Sequence, residues 1–175
     1  MKRFEILTIV FVFSAMLFTP GCKWEPGIDK GKFLELNRTV QDLKTAITAG
    51  EPCDEQASLQ QRLASGIVAV KDKAASKAER DLISACSRLL TIYQDGLLLC
   101  RSRTHLTSFQ FVPKGRIYVT QELDPLVEKY DLPTERHVYG PTGQRWRSIS
   151  VDSLKVIWES ALVQIKNIEN MVNYS

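Results

Sequence analysis

Arg136, His137, Tyr139, Arg145, Trp146 and Arg147 place three arginines and three aromatic rings within one short stretch. Guanidinium groups pair with carboxylates and phosphates and stack on rings, so this chemistry suits recognition rather than bond-making. Arg136, Tyr139, Arg145, Trp146 and Arg147 are therefore the candidate partner-binding residues, because Trp, Tyr and Arg dominate binding hot spots. A blander reading competes with this one. In it, Trp146 and Tyr139 anchor the segment to the rest of the fold while the arginines stay in water.

Other chemistries find little support. His105 and His137 are the only histidines, and neither falls in a Cys-x-x-Cys-His, His-x-x-x-His or Glu-x-x-His arrangement. No metal or other cofactor is expected, and both histidines read as solvent-facing loop residues. There is no Gly-x-Ser-x-Gly elbow, phosphate loop or zinc-protease motif, so no catalytic residue can be named. Glu122, Asp124, Glu128, Asp131 and Glu135, interspersed with Lys129 and Arg136, read as a solvated helix face.

The elements that must carry these residues are mainly helical. Phe33, Leu36, Val40, Leu43 and Ile47 recur at helical spacing, and Gly50 with Pro52 ends that pattern. A second stripe holds Leu59, Leu63, Ile67 and Val70, with Asp54 as its expected N-cap. Ser76 and Glu79 then match a capping box. They open a third stripe of Leu82, Cys86, Leu89, Leu90, Tyr93, Leu97 and Cys100. The fourth holds Leu154, Trp158, Ala161, Ile165, Ile168 and Val172. Stripes of this kind cannot bury their faces alone. The expected fold is all-α in the main, an up-down-up-down four-helix bundle with a small mixed insertion at 104–150 between helices three and four. Leu43, Leu63, Leu90, Ile165 and Trp158 are its expected core.

Within the insertion, Ser108–Val112 and Arg116–Val119 around Pro113-Lys114-Gly115 predict a hairpin. Asp124-Pro125 predicts an N-cap and the start of a short helix ending near Pro133. Gly140-Pro141-Thr142-Gly143 predicts a turn. The whole insertion is expected to cap one end of the bundle.

Three cysteines fall inside the helical region. If the second and third stripes fold back on each other near residue 75, Cys53 and Cys100 reach the same end and can form a disulfide. Cys86 then faces the neighbourhood of Ser65 as a free core thiol. The alternative is that all three are small buried hydrophobes.

The chain begins with Lys2 and Arg3, continues with an apolar run from Ile6 to Phe18, and reaches Thr19-Pro20-Gly21-Cys22. A basic start, a short apolar run and a small residue before a break describe a secretory signal. With a cysteine at the break, the segment resembles the lipobox of bacterial lipoproteins. Thr19 and Pro20 stand where that family has Leu and Ala or Ser, so ordinary cleavage that leaves Cys22 free is the alternative. The resemblance implies a signal peptide at 1–21, acylation of Cys22 and a lipidated tether at 22–29. The body at 30–175 would then sit close to a membrane. Lys23 after the cysteine implies outer-membrane sorting under the rule of enteric bacteria, with the protein facing the periplasm. An exported chain meets an oxidising compartment, which permits the disulfide.

Without residues 1–21 the chain carries 21 basic and 19 acidic side chains, a charge of +2. That is too near neutral to suggest nucleic acid as a partner. The leading functional expectation is a membrane-anchored, non-catalytic envelope lipoprotein that binds or assembles with another envelope protein. An envelope enzyme with its site in 104–150 is the second reading. A small-ligand carrier is the third, and the well-filled stripes argue against it.

Overall fold

The computed structural model describes residues 27–106 and 112–174. Cys22, the expected leader before it and the arm 108–111 of the expected first hairpin lie outside the described residues, as does the side chain of His105. In chain order the elements are α1 (Leu34–Ala49), α2 (Cys53–Lys71), α3 (Lys77–Leu106), β1 (Arg116–Tyr118), α4 (Asp124–Lys129), β2 (Thr134–Tyr139), β3 (Gln144–Ser150) and α5 (Ser153–Asn173). The protein is mainly helical with one small antiparallel sheet.

Each long helix buries the middle of the stripe that its sequence spacing marks, while Leu59, Leu154 and Val172 are half-buried. On α1, Leu36, Val40, Leu43 and Ile47 are buried, and Phe33 joins them from the preceding residue. Gly50 closes the helix in the left-handed region, at φ 69°. There its N–H reaches the carbonyl of Ile47, and the N–H of Glu51 reaches that of Ala46. Helix α2 starts one residue before the expected cap. Pro52 occupies the cap position and Asp54 lies in the first turn, where a negative charge suits the free N–H groups. Helix α1 packs on α2 and α5, α2 on α3, and α3 on α5, so each long helix has two long neighbours.

Two of the expected core residues fall short of full burial. Leu43, Leu63 and Ile165 are completely enclosed, whereas Leu90 and Trp158 are half-buried at the margin of the same cluster. Trp158 nevertheless shapes α3. Its indole lies over Gly96, where any Cβ would overlap the ring. Beside it, the Tyr93 ring is 5.2 Å away, centroid to centroid. Tyr93 is buried, and its hydroxyl donates to Gln56 Oε1 at 3.1 Å while Gln56 Nε2 donates to the Glu51 carbonyl at 2.6 Å. This chain of bonds carries polar atoms through the core without leaving one unpaired.

The capping box before α3 forms and does more than cap. Glu79 N–H donates to Ser76 Oγ at 3.1 Å, and Ser76 N–H donates to Glu79 Oε2 at 3.3 Å. The same carboxylate takes the Ala75 N–H at 2.7 Å and both oxygens meet Lys32 Nζ at 2.8 and 2.9 Å. Asp29 N–H also reaches it, and Ile28 is buried in the main core. The end of the expected tether therefore belongs to the folded body. Lys32 above all, then the Ala75 N–H, holds the Glu79 carboxyl down at about 2, against the opposing effect of burial.

Cys53 and Cys100 lie at disulfide distance, with Cα atoms 6.0 Å apart, and Cys86 is free and buried. Cys86 shares the main core with Leu63 and Ile67, which flank Ser65 on α2, and borders a cavity walled by α1 and α5.

The insertion differs most from expectation. Strand β1 pairs with β3, in the order β1-β3-β2, and the upstream arm of the expected first hairpin lies outside the described residues. The hairpin is β2–β3, closed by the expected Gly140–Gly143 turn, with Gly143 at φ 70°. Leu123 rather than Asp124 caps α4, with Pro125 in its first turn. Nor does the insertion only cover an end. A second core of Ile117, Leu123, Leu126, Val127, Leu132 and Ile149 packs on Leu99 of α3 and Ile157 of α5. Lys129 and Tyr130 bond Asp95 at 2.6 and 2.8 Å, tying α4 to the flank of α3.

Candidate functional site

Strand geometry sorts the Arg-aromatic residues. In an antiparallel pair, directly opposed residues share a face and successive residues alternate. His137 opposes Trp146 and Tyr139 opposes Gln144, so the rings share one face of the hairpin. Arg136 opposes Arg147 and Val138 opposes Arg145, so the three arginines share the other. Ile117 and Ile149 also lie on the arginine face, where they enter the second core. The expected single patch is thus two surfaces back to back.

The aromatic surface is a structural stack. Trp146 is 9% exposed, and its ring lies 4.1 Å from that of His137 at an interplanar angle of 20°. Tyr118 on β1 tilts against the other side, with centroids 5.6 Å apart. His137 is half-buried on a strand, not a solvent-facing loop residue. Its Nε2 meets Ser148 Oγ at 2.7 Å, and that oxygen also accepts Arg116 Nε–H at 3.0 Å. Ser148 has no exposed surface. Although a Ser–His pair at this distance has the outline of a nucleophile and base, an enclosed hydroxyl already bonded to a guanidinium fits a structural role. Arg116 further pairs with Glu135 at 3.0 Å.

The arginine surface is open. Arg136, Arg145 and Arg147 are exposed, and with Thr120, Gln121 and Asp124 they line a groove of about 640 Å³ that Tyr118, His137 and Trp146 also border, so it draws on residues of both faces of the hairpin. Arg147 pairs with Asp124. Among the described residues, neither Arg136 nor Arg145 has an ion-pair partner. Opposed like charges weaken a sheet, so Arg136 across from Arg147 costs the hairpin stability. What this geometry can do is hold an anionic group between guanidinium forks.

Sequence reasoning found Arg136, Arg145 and Arg147 and grouped them with Tyr139 and Trp146, which the fold places on the opposite face. It missed Asp124 beside Arg147, and the Ser148 hydroxyl that joins His137 to Arg116. No motif marks these residues, since only the β1-β3-β2 order brings them together. Among the described residues, no group of three or more His, Cys, Asp and Glu side chains is placed to hold a metal ion. Nor is any helix there long and apolar enough to cross a membrane. No protein-family model, curated protein or solved structure matches this chain.

Proposed function

We propose that the protein is a non-catalytic binding or assembly module of the bacterial envelope, lipid-anchored at Cys22, that grips an acidic protein surface with the arginine face of β2–β3. The observation carrying this reading is Arg136 opposite Arg147 with Arg145 beside them, two of the three without an acidic partner among the described residues. An anionic partner supplies the missing counter-charge. The ring of helix contacts supports an up-down-up-down four-helix bundle. In that arrangement Ile28 and Glu79 mark the end nearest the anchor, and the disulfide pair and the hairpin lie toward the other. Lys23 supports the outer membrane, facing the periplasm, as the location.

Full-length protein recovered from detergent-solubilised membranes tests the contact. The Arg136→Ala/Arg145→Ala double variant should lose, with no fall in melting temperature, a stoichiometric partner that the wild type retains at low salt. Equal recovery by both proteins overturns the reading. Anchoring is tested separately by fractionating cells carrying Cys22→Ser. An intact, processed variant still in the membrane pellet sinks the lipid anchor.

A further inference from the structure

At the end of the helical body opposite the hairpin, α1, α3 and α5 leave a cavity of about 250 Å³. Phe33, Val40, Leu82, Cys86 and Ile168 form its wall, all of them buried. Burial raises the Cys86 thiol to about 12, as expected of a group facing little water. The rim is different. Lys30, Asn37 and Asn173 stand around the opening, with Val172 half-buried beside them. Lys30 is exposed and has no ion-pair partner among the described residues, whereas its neighbour Lys32 is committed to Glu79.

We propose that this cavity binds one unbranched alkyl chain bearing a carboxylate, with the chain among the helices and the head group at Lys30. Three features define the ligand. The wall is apolar and the rim carries a positive charge and two amides, which match a tail and an anionic head. An apolar cavity of about 150 Å³ holds a benzene ring, and at roughly 30 Å³ per water-sized group the present one holds about eight carbons. The opening lies where α1 begins and α5 ends, so the head group meets helix ends instead of the packed sides of helices. The site is independent of the arginine face, at the other end of the helices, and stands or falls without it.

Calorimetric titration of the full-length protein in digitonin, a bulky steroid-based detergent, tests the site. The probes are hexanoate, octanoate, decanoate and dodecanoate below their micellar concentrations. Affinity should rise about fourfold per added methylene up to about eight carbons and then level off. Lys30→Gln should weaken octanoate about threefold at low salt and leave octanol unchanged. Val172→Trp, which fills the opening, should abolish octanoate binding. The site is refuted by no binding, by affinity that climbs through dodecanoate without a plateau, or by unchanged octanoate binding in a Val172→Trp variant of native melting temperature. Lys30 is exposed, so its variant and the chain-length series remain decisive if the tryptophan disturbs folding.

Discussion

Glu79 and Arg136 are both charged, yet the two regions that hold them treat charge in opposite ways. In the helical body, Glu79 is buried and surrounded by Lys32 and three backbone N–H groups. Elsewhere in that body, Glu169 meets Lys44 at 2.8 Å and Asp42 meets Arg62 at 2.9 Å, joining α1 to α5 and to α2. In the hairpin, Arg136 faces Arg147 across the strands and Arg145 follows on the same face. Glu79, Glu169 and Asp42 of the body are each matched by a cation within the fold, whereas Arg136 and Arg145 of the hairpin have no ion-pair partner among the described residues. The difference separates residues that hold the structure from residues available to something outside it.

The strongest test of the body is its core. Leu63→Ala removes a fully enclosed side chain from the main cluster and should cost about 2–5 kcal/mol in urea unfolding. Val138→Ala, on the exposed side of the hairpin, should change stability by less than about 0.5 kcal/mol. Similar losses from the two would erase the contrast.

Glu79→Gln should cost about 1.5–3 kcal/mol at neutral pH, because several donors lose a charged acceptor. Its pH dependence sharpens the assignment. The folded carboxyl is held at about 2 against an ordinary 4.5. Its stabilisation is therefore complete above about 4.5 and is lost as pH falls from there through about 2. Stability curves of wild type and variant should converge over that window. Parallel curves would remove Glu79 from the role given to it.

Gly96→Ala reverses a general rule. An alanine in a helix interior ordinarily gains about 1 kcal/mol over glycine. Here the new methyl overlaps the Trp158 ring, so a loss of about 1–3 kcal/mol is expected from overpacking. Stabilisation in a melting experiment would mean that α5 does not pack closely on α3 there.

The last effect has the opposite sign. Arg136→Thr removes a like-charge cross-strand pair and adds a residue suited to strands. It should raise stability by about 0.2–1 kcal/mol while weakening partner recovery. Stability gained at the expense of binding marks a functional residue. A destabilised Arg136→Thr variant would instead place this arginine among the groups that hold the fold.

How much of this was legible follows from how far each feature reaches along the chain. The sequence by itself determined the four helical stripes, the Gly50 stop and the Ser76–Glu79 box, and it left the Cys53–Cys100 pairing as one of two readings. Helical faces arise from residues three and four apart, so periodicity states them directly. It also contained the three arginines and the Gly140–Gly143 turn. Only the tertiary structure decided the β2–β3 register, which puts Trp146 and Tyr139 on the face opposite the arginines, and the β1–β3 pairing, which brings Arg116 to Ser148 beside His137. Strand partners are chosen by contacts far apart in the chain, and a shift of one residue exchanges the two faces. The apolar cavity was hidden for a related reason. Periodicity shows which side chains turn inward, but the space left between them depends on how three helices meet.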